Sequence, residues 1–163
     1  MIKSDRLEQS LFEGFPSIEN EELKRIIEER SYTKGEFILC QGQPAANLYI
    51  LLSGEVEIRH KPYDGPSLLV SKLSSGGVFG WSSVLGRKVY TSSAVVIADC
   101  SVYCIPGLKL QQFCESHHKT GVVLLEKIAM SVAQQPDSIH KQIVELLQHA
   151  LSCGQDEKTE DCQ

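Results

Sequence analysis

The sequence predicts a mainly β fold with one helix ahead of the strands and a helical arm behind them. Three observations carry that prediction. Between Tyr32 and Pro106, short runs of β-branched, aromatic and aliphatic residues recur, and glycine- or proline-rich turn signals separate them. Before this region the apolar residues fall at helical spacing, and after Pro106 they do so again. Many short strands with glycine-rich corners make a sandwich or a barrel.

The elements follow in order. Pro16-Ser17-Ile18-Glu19, followed by Leu23, Ile26 and Ile27, predicts a capped amphipathic helix with acid in its first turn and Lys24 and Arg25 farther on. Strands are expected at Phe37–Cys40, Leu48–Leu52, Glu55–His60, Leu68–Leu73, Tyr90–Ala98 and Ser101–Ile105. Turns are expected at Gly42-Gln43-Pro44, Ser53-Gly54, Pro62 to Pro66 and Gly76-Gly77. Leu108, Leu110 and Phe113 open a short helix, and Val122, Leu125, Ile128, Ala129 and Val132 repeat at helical spacing from Thr120 onward. Pro136 interrupts that run, and Asp137 and Ser138 suit a new first turn. Beyond it Ile139, Ile143, Leu146 and Ala150 form a short heptad-like seam, which suits either a partner helix or packing on the strands. Residues 153–163 are polar and charged and are expected to be disordered.

Composition narrows the function classes. With 163 residues, 42% of them hydrophobic, the chain can bury the core of one domain. A net charge of -5 argues against a broad basic surface for nucleic acid. Apolar runs fall short of the roughly 20 residues that span a bilayer, and the N-terminal stretch has no signal-peptide character, so the cytoplasm is the expected location and no membrane partner is expected. Of the six cysteines, Cys100 and Cys104 share one face of an expected strand and read as buried thiols. Cys114 with His117 and His118 has a metal-ligand composition, but adjacent histidines point apart on a helix, so surface or C-cap roles are preferred. His60 stands alone in the strand region, so no metal site is expected there. Motifs for dinucleotide, Walker and hydrolase chemistry are missing from the sequence, and no catalytic residues are assigned.

The most informative stretch is Gly76–Ala94. A Gly-Gly turn, Phe79, Gly80 and a short segment holding Ser82 and Ser83 have the outline of a phosphate-cradling turn and helix start, whose unpaired amides favour an anion. The charges expected of such a site are missing: Trp81 and Tyr90 stand where an acceptor and a cation would be.

Gly35, Ile38, Gly42, Tyr49, Gly54, Val56 and Ile58 fall on the pattern G-x-x-I-x-x-x-G-x-x-x-x-x-x-Y-x-x-x-x-G-x-V-x-I, which resembles the cyclic nucleotide-binding domain family. The resemblance runs from about Leu11 to Leu151. It implies an eight-stranded double-stranded β-helix, a jelly-roll-like β-roll over about residues 31–106, with an N-terminal helix and a C-terminal helical arm over about 107–152, all in one domain of residues 1–152. Nucleotide-binding members of that family carry F-G-E-x-[AS] and then R-[AST]-[AST], the Glu holding the ribose hydroxyl and the Arg the cyclic phosphate. Here Phe79 and Gly80 match, Trp81 replaces the Glu, Ser83 keeps the small residue, Tyr90 replaces the Arg, and Thr91, Ser92 and Ser93 keep the hydroxyl run. Arg87 and Lys88 lie one short shift away, at the expected exposed end of the loop.

The implied ligand site is therefore Phe79, Gly80, Trp81, Ser82, Ser83, Tyr90, Thr91 and Ser92, for cAMP, cGMP or another small anion, with no cofactor required. Trp81 can stack on a ring or plug the pocket. The expected role is a regulatory small-molecule-binding module with altered or lost cyclic nucleotide affinity; the alternative is a ligand-free interaction module dimerising through Ile139, Ile143, Leu146 and Ala150. No helix-turn-helix follows the arm, so direct DNA binding is not expected, nor is an enzyme.

Overall fold

The structure, a computed structural model, describes residues 12–133. Helix α1 (Ser17–Ile26) leads into strands β1 (Glu28–Tyr32), β2 (Phe37–Leu39), β3 (Asn47–His60), β4 (Leu68–Leu73), β5 (Val78–Phe79) and β6 (Ser93–Pro106). A 3₁₀ turn, Trp81–Ser83, separates β5 from β6, and helices α2 (Gly107–Ser116) and α3 (His118–Ala133) follow. The seam from Ile139 to Ala150 and the tail lie outside the described residues.

The strands pair antiparallel in the order β1-β6-β3-β4, with β2 also on β6 and β5 on β3. Mainly antiparallel sheet with flanking helices is the predicted class. Six strands are found among the described residues where the family resemblance implied eight. The difference lies in β3 and β6, each of which unites two of the runs read from the sequence. Their pairing shifts register around Ser53–Val56, where Gly54 takes φ +87°. A Cβ on Gly54 would sit 2.3 Å from the Asp99 carbonyl oxygen, so the turn signal read at Ser53-Gly54 marks a bulge within a continuous strand. Strand β1 was not anticipated: Glu28-Glu29-Arg30-Ser31 is polar, and it pairs as an exposed edge on β6, from Glu28 opposite Cys104 to Tyr32 opposite Cys100.

Period-two alternation along β3 and β6 divides the apolar residues between two faces. Leu48, Ile50 and Leu52, with Tyr103 and Ile105, pack with Leu23, Leu110, Phe113, Leu124 and Ile128 of the helices. Tyr49, Leu51 and Val56, with Val102 and Cys104, pack inside the roll against Ile38, Phe79, Tyr90 and Val96. Register and face agree, because Tyr49 lies opposite Cys104 and Leu51 opposite Val102, while Ile50 lies opposite Tyr103. Leu48, Leu51 and Leu52 are fully buried, and each contributes about 1.5–3 kcal/mol. Cys100 and Cys104 do share the interior face, where burial pushes both thiols up.

Two helix expectations need correction. Pro16 takes the N-cap position of α1 and no side chain caps it, so Ser17 is its first helical residue, with Glu19 supplying acid and Lys24 and Arg25 base at the two ends. In α3 the inward stripe is Thr120, Leu124 and Ile128, whereas Val122 is exposed. Gly121 sets that phase: a Cβ there would lie 2.7 Å from the Cys114 Cα, so this face of α3 meets α2 backbone to backbone.

His117 ends α2 as its C-cap, the kind of role preferred for it from sequence. Its ring lies against Phe113 and bridges to α1, with Nε2 on the Glu22 carboxylate and Nδ1 3.5 Å from that of Glu19. Thr120 Oγ1 donates to Glu19 as well. The N-terminal helix is thereby tied to the α2–α3 junction.

Candidate functional site

The cassette is built on β5. Val78 and Phe79 pair with Ile50 and Tyr49 of β3, and the Phe79 ring stacks on Tyr49 with centroids 5.2 Å apart. Gly80 then turns the chain with φ +82°, and a Cβ there would approach the Asn47 carbonyl oxygen to 2.7 Å. A side chain at this position would be strained and crowded at once. The helix start anticipated from sequence is a single 3₁₀ turn of three residues, closed by Ser83 N–H donating to Gly80 O at 3.2 Å and Val84 N–H to Trp81 O at 3.0 Å. Ser83 Oγ also donates to Gly80 O, at 2.8 Å.

The loop that follows is held to the turn after β2. Ala45 N–H donates to Lys88 O, Gly42 N–H to Tyr90 O and Tyr90 N–H to Gln43 O, all within 3.0 Å. Tyr90 therefore precedes β6, which begins at Ser93, instead of opening the strand as expected. Its side chain is 6% exposed. The hydroxyl donates to Asn47 O at 2.7 Å and accepts from Asn47 N–H at 2.9 Å. Burial raises its pKa, so the phenol stays neutral.

A pocket of about 150 Å³ opens between this cassette and the inner face of the roll. Phe79, Gly80, Trp81 and Ser82 line one side, and Tyr90, Thr91 and Ser92 another. The structure thus brings together seven of the eight residues named from sequence; Ser83 is buried outside the lining with its hydroxyl on Gly80. Trp81 also packs against the helix-side core. Arg87 and Lys88 are exposed and do not line the pocket. No lining residue among those described carries a formal charge.

Leu39, Ile58, Val70, Ser71, Leu73 and Val78 complete the wall, and sequence reasoning did not place them in the site. Ser71 is the most informative of them. It is 6% exposed, and its Oγ is buried with no hydrogen-bond partner, an unusual state for a buried hydroxyl. A signal was available: Ser71 and Leu73 occupy the inward phase of β4, and a hydroxyl stands there where an apolar side chain is the norm.

Metal and thiol chemistry find little footing. Among the described residues no group of three or more His, Cys, Asp or Glu is placed to hold a metal ion. Cys114 has its thiol pushed up by burial, which suppresses the thiolate that would ligate or attack. His60 Nδ1 is occupied, donating to Thr91 O at 2.7 Å. Among the described residues, no helix is long and apolar enough to cross a membrane.

Comparison with known proteins agrees with this geometry. The chain is 32% identical over 77 residues to a cAMP-dependent protein kinase regulatory subunit of Mycosarcoma maydis, covering 47% of this chain and 14% of that protein. It is 32% identical over 130 residues to glutaminase 1 of Bradyrhizobium diazoefficiens, covering 78% and 20%. The chain thus spans a fifth or less of these two relatives. Among solved structures, a candidate cyclic nucleotide-binding protein of Geobacter metallireducens GS-15 superposes with a TM-score of 0.67 at 29% identity, over 83% of this chain and 98% of that one. The cAMP-bound regulatory domain of Toxoplasma gondii PKA shares the fold, with a TM-score of 0.61 at 18% identity over 79% and 51% of the two chains. The family model described as the cyclic nucleotide-binding domain matches residues 29–117, more than half of the 163. A β-roll with its cassette packed on β3 and a helical arm behind it accounts for that match, and this chain belongs to the cyclic nucleotide-binding domain family.

Proposed function

We propose that this chain is a regulatory small-molecule-binding module, cytoplasmic and without catalytic activity of its own, whose affinity for cAMP and cGMP is lowered or lost. One observation carries the reading. The position that holds the phosphate-binding cation in the family pattern is Tyr90, and its hydroxyl is engaged in both directions by the Asn47 backbone. A hydrogen bond to a charged group contributes about 1.5–3 kcal/mol, so its loss weakens binding by about tenfold to a hundredfold. Trp81 at the ribose position removes a second contact.

The regulatory part of the proposal rests on how the cassette meets the arm. A Cβ on Gly107 would lie 2.4 Å from Ser83 O, and Gln111 Nε2 donates to Val84 O at 3.0 Å. Any rearrangement of the Trp81–Ser83 turn is felt at the start of α2, so a ligand that prefers one arrangement of the turn shifts the arm with it. Trp81, packed partly on the helix-side core, also favours a second reading in which the pocket is plugged and the chain serves as a ligand-free interaction module.

Titration calorimetry with cAMP and cGMP tests the first reading. Weak or undetectable heats are expected, and micromolar affinity for either nucleotide sinks it. Tyr90→Arg is expected to create or improve nucleotide binding.

A further inference from the structure

We propose that the pocket takes an uncharged single-ring ligand with polar groups on two of its edges, held by the hydroxyls of Ser82 and Ser92. The inference rests on the reading of this pocket as a small-molecule site and names the chemical class that fits it.

Two free hydroxyls carry the argument. Ser82 comes from the 3₁₀ turn after β5 and Ser92 from the loop just before β6, so they reach the pocket from different sides. Neither hydroxyl has a hydrogen-bond partner among the described residues. Ser82 is 6% exposed, yet its Oγ is not closed off, whereas Ser71 Oγ is sealed inside the wall beyond the reach of a ligand. A nearly buried hydroxyl that is neither bonded nor sealed is left for a ligand or a water.

The backbone holds both serines in position. Ser82 O accepts from Arg87 N–H at 3.1 Å. On the other side His60 Nδ1 donates to Thr91 O at 2.7 Å and Ser93 Oγ accepts from Gln41 N–H at 2.8 Å, so Ser92 sits between two fastened neighbours. Little of the chain has to be ordered when a ligand bonds to them.

Charge and size narrow the class. No lining residue among those described is charged, Arg87 and Lys88 stay exposed, and His60 gives its Nδ1 proton to Thr91 from outside the lining. Tyr90 cannot turn its hydroxyl to an anion without abandoning both bonds to Asn47. A phosphate or carboxylate would exchange its hydration for neutral hydroxyls with no counter-charge, which disfavours it. A serine hydroxyl both donates and accepts, so two of them match ligand hydroxyls or carbonyls in either sense. The pocket encloses about 150 Å³, room for one ring and below the roughly 300–1,000 Å³ of sites for drug-sized molecules. Phe79, Trp81 and Tyr90 in its wall suit a flat ring in offset or edge contact.

The full chain is titrated with resorcinol, a ring bearing two hydroxyls, and with benzene, benzoate and cAMP. Emission from Trp81, the one tryptophan in the sequence and itself part of the wall, is followed at the red edge of its absorption. Resorcinol is expected to saturate the signal and to bind more tightly than benzene, with benzoate and cAMP silent. Ser82→Ala and Ser92→Ala are each expected to weaken resorcinol by about twofold to tenfold and to leave benzene unchanged. Neither hydroxyl bonds within the described fold, so thermal unfolding of both variants is expected to coincide with that of the parent chain.

Silence toward resorcinol overturns this inference, and silence toward cAMP in the same titrations leaves the lowered-affinity reading standing. Benzoate binding as tightly as resorcinol overturns the uncharged class. Unchanged resorcinol affinity in either serine variant overturns the role of that serine. Micromolar cAMP binding overturns the lowered-affinity reading, and the uncharged-ligand inference falls with it.

Discussion

The Tyr90 hydroxyl closes a two-way bond with a single residue, donating to the carbonyl of Asn47 at 2.7 Å and accepting from its amide at 2.9 Å. Asn47 is the first residue of β3, so the cassette loop is fastened to the start of the longest strand pair in the roll. Tyr90→Phe should keep the ring packing and lose both bonds, leaving the Asn47 amide and carbonyl unpartnered. The expected loss is about 1–3 kcal/mol, read as a lower urea midpoint with an unchanged slope.

Gly54 is held in the left-handed region at the bulge where β3 and β6 change register. Gly54→Ala adds a Cβ 2.3 Å from Asp99 O in a conformation that alanine disfavours. A destabilisation of at least about 1–3 kcal/mol is expected from the backbone strain alone. Gly35→Ala, whose Cβ meets no atom within 4 Å, controls for the conformational part because Gly35 also has positive φ. Chemical denaturation should show the Gly54 variant to be the weaker of the two.

Stability should fall in alkali. Burial raises the pKa of Tyr49 and Tyr90 and of the Cys100, Cys104 and Cys114 thiols in the folded chain. These groups stay neutral in the fold at a pH where the unfolded chain has already released their protons. Their contribution is complete below the unfolded values, about 8.5 for cysteine and about 10 for tyrosine, and is lost as pH rises beyond them. Denaturation midpoints measured from pH 7 upward should hold level and then decline from about pH 8.5, more steeply past pH 10. A midpoint that rises across that interval contradicts the burial of these groups.

His117 joins the α2–α3 junction to Glu19 and Glu22 of α1. His117→Ala should loosen α1 while the roll keeps its stability, because the roll's own core does not include the histidine. Amide exchange is the direct measurement: protons of Ser17–Ile26 should exchange faster, and those of β3 and β6 at the parent rate.

The seam from Ile139 to Ala150 suits either a partner helix or packing on the strands, and the oligomeric state separates the two. If the homodimer proposed for it forms, Ile143→Asp with Leu146→Asp should convert it to monomer in light scattering. An unchanged mass in the double variant removes the seam from the interface.

Much of the fold was legible because its signals are local. Short apolar runs at Leu48–Leu52 and Ser101–Ile105, bounded by turn signals, require only neighbouring residues, and they identified strands whose two faces the structure fills. The seven lining residues Phe79–Ser82 and Tyr90–Ser92 were likewise found from a contiguous cassette. Strand β1 escaped because its stability comes from pairing with β6 across some 70 residues of chain, while its own side chains are polar. In the first turns of α3, Val122 and Leu125 were read one position away from the buried Gly121 and Leu124, because Gly121 has no side chain to reveal that it faces α2, whereas Ile128 is buried as expected.

The sequence by itself determined the class of fold, a break in regular pairing at Gly54, the extent of the cassette and the absence of charge at two positions within it, because backbone geometry and residue chemistry are written locally. Only the tertiary structure decided what those positions do. It placed the Tyr90 hydroxyl on Asn47, 43 residues away in sequence, and brought an unpartnered Ser71 from β4 to the wall beside Trp81. Hydrogen-bond satisfaction and burial belong to neighbours that chain closure supplies, and no local pattern carries them.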